Sequence, residues 1–175
     1  MTAELQRVAD ELRAAMNSRS EWRMMNSLPA GARRDGLDLP GVPEAYREFL
    51  SVADGATCGD VTVFPASDIL RMQFYADPVP GAAVELNKDE WFCCGVVADD
   101  PFFLNRATGA VWYFPDTGIE WTQSSVFEKV ADSFHTFFLE HMAGPGYVRL
   151  SATGRDDQWA DLLDSFGRLT AHDGS

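Results

Sequence analysis

Apolar residues recur in the first segment at Leu5, Val8, Leu12 and Met16, with Ala9 and Ala15 between them and charges elsewhere. That helical period predicts an amphipathic N-terminal helix, with the Thr2 hydroxyl as its cap. The period is lost over residues 17–38, where Asn17-Ser-Arg-Ser20 and Leu28-Pro-Ala-Gly-Ala-Arg-Arg-Asp-Gly36 gather turn formers, so a loop with one short helical turn is expected. It returns after Leu39-Pro-Gly-Val-Pro43 as Ala45, Tyr46, Phe49, Leu50 and Ala53, a second helix that stops at Asp54-Gly55. Val61-Thr-Val-Phe64, between Gly59 and Pro65, predicts a short strand, and Ser67-Asp-Ile-Leu-Arg-Met72 starts a short helix with Ser67 as cap. Residues 76–89 hold Pro78, Pro80, Gly81 and Asn87 and predict an exposed connection.

The densest signals lie between Trp91 and Met142. Trp91-Phe-Cys-Cys-Gly-Val-Val97 is an almost unbroken apolar run, suited to a strand buried on both faces. Pro101-Phe-Phe-Leu104 and Val111-Trp-Tyr-Phe114 flank Asn105-Arg-Ala-Thr-Gly109, and Gly109 can adopt positive φ, so a β-hairpin is expected. After a polar interval, Asp132 or Ser133 can cap a helix that carries Phe134, Phe137, Phe138 and His141 on one face. Trp91, Phe134 and Phe137 are expected in one core, because strand and helix must cover each other. Past the Gly144-Pro-Gly146 break, Tyr147-Val-Arg-Leu150 predicts an edge strand. Asp156 or Asp157 then caps a last helix with Trp159, Leu162, Leu163 and Phe166 on one face, and the tail from Thr170 is expected to fray.

At 175 residues the chain suits one domain, 1–175, of α+β class. No apolar run approaches the roughly 20 residues that span a bilayer, and the charged N-terminus lacks the apolar segment of a secretory signal, so a cytoplasmic protein is expected. Cys58, Cys93 and Cys94 are an odd set, and the adjacent pair diverges within a strand, which predicts reduced, structural thiols. Charge adds the strongest compositional signal, a formal net charge of −13 from 27 acidic and 14 basic residues. Residues 1–34 carry four acids and six bases, residues 141–175 five acids and three bases, and residues 35–140 eighteen acids and five bases. The imbalance therefore sits in the central region. Nucleic-acid affinity needs Lys and Arg against phosphates, so that region argues against a DNA or RNA partner. Acidity alone is ordinarily a solubility device; the alternative is a surface that meets a basic partner.

Motifs for chemistry are sparse. The chain has no phosphate-binding glycine loop and no Gly-x-Ser-x-Gly elbow. His135 and His141 are six residues apart and cannot form an i, i+4 metal pair, and His172 lies in the tail. Asp99 and Asp100 at one loop, with Asp116 and Glu120 on the next, could gather into a divalent-cation site, or they could be ordinary solvated loop carboxylates. No nucleophile and base stand at a readable spacing, so no catalytic residue, metal or cofactor is assigned. Trp91 and Trp159 lie in apolar patterns and are expected in the core. Trp112 and Trp121 sit in more polar settings, and an exposed tryptophan beside carboxylates would suit an interface anchor. Asp99, Asp100, Trp112, Asp116, Glu120 and Trp121 are therefore the candidate partner-binding residues.

The order of these pieces resembles the SUKH superfamily, which contains many bacterial immunity proteins and a yeast regulator of cell-wall synthesis. Val42-Pro-Glu-Ala-Tyr46-Arg-Glu-Phe49-Leu50 with Asp54-Gly55-Ala56 is similar to that family's Leu-Pro-x-x-Tyr-x-x-Phe-Leu helix and the turn after it. Phe64-Pro-Ala-Ser-Asp-Ile-Leu70 resembles its strand-to-helix connection. Trp91–Gly95, Asp99-Asp100, Phe103-Leu-Asn105, Thr108-Gly109-x-Val111 and Ala131-Asp-Ser-Phe134-x-x-Phe137-Phe-Leu139 resemble its hairpin and closing helix. Val42 stands for the usual Leu, Ala56 for a second Gly, and the loop before Asp100 is poorer in glycine. The likeness covers about residues 39–142, leaving 145–169 as a C-terminal extension with an extra strand and helix. It implies a curved, mainly antiparallel sheet backed by helices, and binding rather than catalysis. Many members neutralise toxins, often nucleases and frequently basic, so the resemblance implies an immunity protein with a cognate basic toxin as partner; the charge and the lack of a spanning apolar run argue against nucleic acid and membrane as partners. The other readings are a regulatory or scaffold module of the same fold, and a carboxylate-metal enzyme using Asp99, Asp100 and Asp116.

Overall fold

Six antiparallel strands in chain order, β1 (Ala56–Cys58), β2 (Val61–Val63), β3 (Trp91–Val97), β4 (Asp100–Asn105), β5 (Val111–Tyr113) and β6 (Glu128–Ala131), form an open, curved sheet in the computed structural model, which describes residues 1–170. The protein is α+β, with helices α1 (Thr2–Ser18), α2 (Glu44–Val52), α3 (Phe134–Thr136), α4 (Tyr147–Leu150) and α5 (Gln158–Ser165). Register shifts between Cys93 and Gly95 on β3 and between Val111 and Trp112 on β5 bend the sheet. Among the described residues no helix is long and apolar enough to cross a membrane. His172 lies outside the described residues.

Neighbouring residues of a strand point to opposite faces, so Trp91 and Phe92 begin two separate packing layers. On one face Phe92 meets Tyr46 (ring centroids 5.4 Å) and Phe102 meets Phe137 (4.8 Å), while Phe134 wedges between Tyr46 and Phe49 (5.1 Å to each). The Tyr46 hydroxyl reaches the carbonyls of Phe64 and Cys94, which ties α2 to the sheet. Across the sheet, Trp91 packs on Phe127 (5.0 Å) and Phe103 (6.4 Å), and Phe127 stacks on Phe114 (4.6 Å). Trp91, Phe134 and Phe137 are all buried in one cluster, but the expectation that the helix covers Trp91 is corrected: the sheet runs between them, because Trp91 points to the face opposite Phe92. The second face is covered without a long helix. A 3-10 segment, Arg71–Ala76, lies against it, and the buried Gln73 amide bonds both the N–H and the carbonyl of Cys93 (2.9 Å each) where β2 no longer pairs.

Several local expectations hold in detail. The Ser133 hydroxyl accepts from the Thr136 amide (3.0 Å) and the Asp157 carboxylate from the Ala160 amide (2.7 Å), so these residues cap α3 and α5. In the β4–β5 hairpin Asn105 accepts from the Ala107 and Thr108 amides (3.1 Å each) and Gly109 has φ +75°. Cys58, Cys93 and Cys94 are free and buried. After α3 the backbone continues through Phe137–Met142 as a π-helical segment.

Other expectations are corrected. Thr2 is already helical, with Met1 at the cap position. Ser67 caps nothing: its hydroxyl meets Asp68, and it is Asp54 that accepts the Ala66 amide (2.8 Å). The irregular stretch after α1 holds two 3-10 turns, Ser20–Arg23 and Arg34–Leu37. Tyr147–Leu150 is the short helix α4 and not an edge strand, because the Gly144-Pro-Gly146 turn seats the Gly146 carbonyl to accept from the Arg149 and Leu150 amides (3.2 Å each). Phe166 is 54% exposed, since α5 ends at Ser165 before the face repeats.

The C-terminal extension belongs to the same core. Tyr147 and Trp159 are fully buried, the Trp159 indole donates to the Met142 carbonyl (2.7 Å), and the Trp22 indole to Asp161 (2.9 Å). The Tyr147 hydroxyl donates to Asp157 and accepts from the Asp60 amide (3.1 Å) in the β1–β2 turn. Gly59 in that turn has φ +59°, and a Cβ there would stand 1.8 Å from the tyrosine oxygen, so only glycine fits.

Candidate functional site

The β3–β4 turn has only two residues, Ala98 and Asp99, since Val97 pairs directly with Asp100. Tight turns of this kind want positive φ in the first position, and Ala98 takes it at φ 53° although it has a Cβ. Its amide donates to the Asp60 carbonyl (2.7 Å), so the β1–β2 turn holds the strained residue in place. The consequence is that Asp99 and Asp100 project at the sheet end where β5 runs out into the Phe114–Glu120 loop. That loop is shaped by Asp116, whose carboxylate accepts from the Gly118 amide (2.9 Å).

A cleft of about 490 Å³ opens there, lined by Asp99, Asp100, Tyr113, Phe114, Asp116 and, from α4, Arg149. Burial raises the pKa of Asp100 and the charges of Asp116, Asp99 and Glu120 raise it further, in that order. The four candidate carboxylates therefore share one electrostatic field, although they come from two loops. Among the described residues none of them is held in a salt bridge.

Trp112 and Trp121 are placed differently. Both are half-buried on the second face, Trp112 edge-on to Trp91 (5.8 Å) and tilted on Phe127 (5.4 Å), and Trp121 between Phe114 (5.5 Å) and Tyr75 (6.2 Å). The six candidates thus divide into an acidic mouth and an aromatic row, which meet at Phe114. Phe114 lines the cleft and also touches Trp121.

Two elements of this region were not visible in the sequence. Arg149 reaches the cleft because residues 147–150 are helical and follow the Gly144–Gly146 turn; read as an edge strand they gave no hint of it. Phe74 and Tyr75 border the aromatic row, and they lie in the 3-10 turn that follows the helix start expected at Ser67–Met72.

The arrangement is suited to attracting cations. The thiols of Cys58, Cys93 and Cys94 are pushed up by burial and are poor nucleophiles. The Ser151 hydroxyl donates to Asp60 (2.7 Å), not to an imidazole. His141 is half-buried on the far side of Arg149, its pKa lowered by burial, and it packs against Phe137 (6.2 Å). Among the described residues no three His, Cys, Asp or Glu side chains are grouped to hold a metal ion. Compared with models of known protein families and with curated proteins, the chain matches none.

Proposed function

We propose that this chain is an immunity protein of the SUKH type, which binds a cognate basic bacterial toxin in the cytoplasm and neutralises it by covering its working surface. The observation that carries this reading is the gathering of Asp99, Asp100 and Asp116 around one cleft, with Glu120 adding to their field and a single Arg149 facing them, within the region that holds the chain's excess charge. A protein that must capture a toxin before damage is done gains from such a field, because steering raises association rates by about 10- to 1,000-fold. The free cysteines suit a reducing compartment. The resemblance over residues 39–142 supports the same role.

The test is growth rescue. Toxin domains encoded beside this chain are expressed with it, without it, and with Asp99→Asn/Asp100→Asn/Asp116→Asn/Glu120→Gln. Rescue by the native chain and weaker rescue by the variant are expected. No rescue and no complex with any toxin domain of the same genome would remove the immunity reading and leave a regulatory module of this fold. A thermal midpoint raised by micromolar Mg²⁺ or Mn²⁺, and insensitive to them in Asp99→Asn/Asp100→Asn, would instead favour the carboxylate-metal enzyme.

A further inference from the structure

Leu70, Phe74, Val79 and Ile119 are large apolar residues with exposures of 50%, 53%, 41% and 56%. Single exposed apolar residues are ordinary, but Phe74 continues a packed aromatic row. Leu70 immediately precedes the 3-10 turn Arg71–Ala76 that carries Phe74, and both side chains face solvent. Phe74 stacks on Tyr75 (4.4 Å), and Tyr75 leans on Trp121 (6.2 Å). The Ala83 amide donates to the Thr122 carbonyl (3.2 Å), and the Ala82 amide to that of Val79 (3.1 Å), which holds the Val79 turn beside the Trp121 segment. Ile119 lies two residues before Trp121. Phe74, Tyr75 and Trp121, from two separate segments, therefore form an apolar ledge at the end of the aromatic row, with Val79 held in the neighbouring turn.

The charges around the ledge are one-sided. Beside the ledge Arg71 is paired with Asp68 and Lys88 with Asp77 (2.8 Å each), and the one cation lining the adjoining cleft, Arg149, faces three carboxylates there. Asp99 is close enough that, after burial and Cys93, it adds to the raised pKa of Tyr75. Through Phe114 the ledge is continuous with the acidic mouth. A second copy of this chain is a poor occupant, because it would bring two strongly acidic regions together.

We propose that the Phe74–Tyr75–Trp121 ledge docks a segment of a basic protein in which one or two large apolar side chains are flanked by Lys or Arg. This rests on the reading of the chain as a binder of a basic partner, and it assigns the affinity to the ledge and the steering to the mouth. The apolar anchor covers Phe74 and Trp121 while the flanking cations meet Asp99, Asp116 and Glu120. Desolvated aromatic anchors with charged rims are the usual distribution of energy in such interfaces.

The experiment titrates the full ¹⁵N-labelled chain with three short peptides of equal length. One alternates leucine and arginine, one serine and arginine, and one leucine and glutamine. The leucine–arginine peptide is expected to bind about 10-fold tighter than either control, shifting the Trp121 indole and the amides of residues 70–79. Phe74→Ser, at an exposed position, should abolish that preference with the rest of the amide spectrum unchanged. Equal binding of the serine–arginine peptide, shifts confined to the Arg149–His141 side, or an unaltered preference in Phe74→Ser would overturn the proposal. In growth rescue, loss by the charge variant with full rescue by Phe74→Ser would also overturn it while leaving the immunity role intact. A leucine–arginine preference in a chain that rescues from no toxin would support the ledge and count against the immunity role alone.

Discussion

Phe134 shows how much one side chain supports. It is fully buried and its ring lies 5.1 Å from both Tyr46 and Phe49 and 5.8 Å from Phe137, so it joins α2 to the closing helix over the sheet. Phe134→Ala removes that volume from a site whose walls are strands and capped helices with little freedom to collapse. A loss of about 3–5 kcal/mol is expected in denaturant unfolding. A loss below about 1 kcal/mol would show that the helix does not sit on this core. Asp100 works in the opposite direction. Burial and the neighbouring Asp116, Asp99 and Glu120 raise its pKa in the folded protein, so its carboxylate is less favourable there than in the unfolded chain. Its contribution is most favourable below the ordinary value of 3.8 and is lost as pH rises through the higher folded value. Asp100→Asn should therefore raise the thermal midpoint at neutral pH, and the gap should close in acid. A lower midpoint for the variant at neutral pH would contradict the shared field of the four acids.

Elements with a long, clean period were legible: α1, α2, β3, the β4–β5 hairpin and the helix after Ser133 all follow from apolar spacing, the last with its Ser133 cap as well. Short elements were not. β1 is three residues between turns, and β6 is Glu-Lys-Val-Ala, with its first two residues exposed, so its pairing with β5 gives no apolar alternation to read. Tyr147–Leu150 has a strand-like composition, yet the preceding turn and the buried bonds of Tyr147 decide for a helix, a tertiary override of propensity. The candidate acids were legible because they lie on two consecutive sheet-end loops. The ledge was not, since it needs Tyr75 and Trp121 brought together from distant segments. The same limit made residues 145–169 read as an extension, whereas α4 and α5 supply buried Tyr147, Leu162 and Leu163, and Trp159 locks onto Met142. A chain ending at Gly144 should therefore lose its near-ultraviolet circular dichroism and its cooperative melt, and Trp159→Ala alone should cost about 3–5 kcal/mol. A cooperative transition in the shortened chain would restore the view that these residues are an appendage.

At the scale of the molecule, the proposed binding role assigns speed and lifetime of a complex to different places. The central residues 35–140 carry eighteen acids and five bases, and the four acids at the mouth concentrate that field at one end of the sheet. Long-range attraction acts on the encounter, while desolvated packing on the ledge acts on escape. With a basic toxin domain identified by growth rescue, the association rate should be high at low salt and fall steeply as ionic strength approaches physiological values, where screening acts beyond about 8 Å. Asp99→Asn/Asp100→Asn/Asp116→Asn/Glu120→Gln should lower that rate by about 10-fold or more at low salt, with the dissociation rate nearly unchanged. Trp121→Ala should do the reverse, raising the dissociation rate by roughly 10-fold and leaving the salt slope of association as it was. Stopped-flow association at several salt concentrations, with dissociation followed by competition, separates the two. An association rate insensitive to salt, or a charge variant whose only change is faster dissociation, would mean that the acidic mouth is a contact surface rather than a steering field.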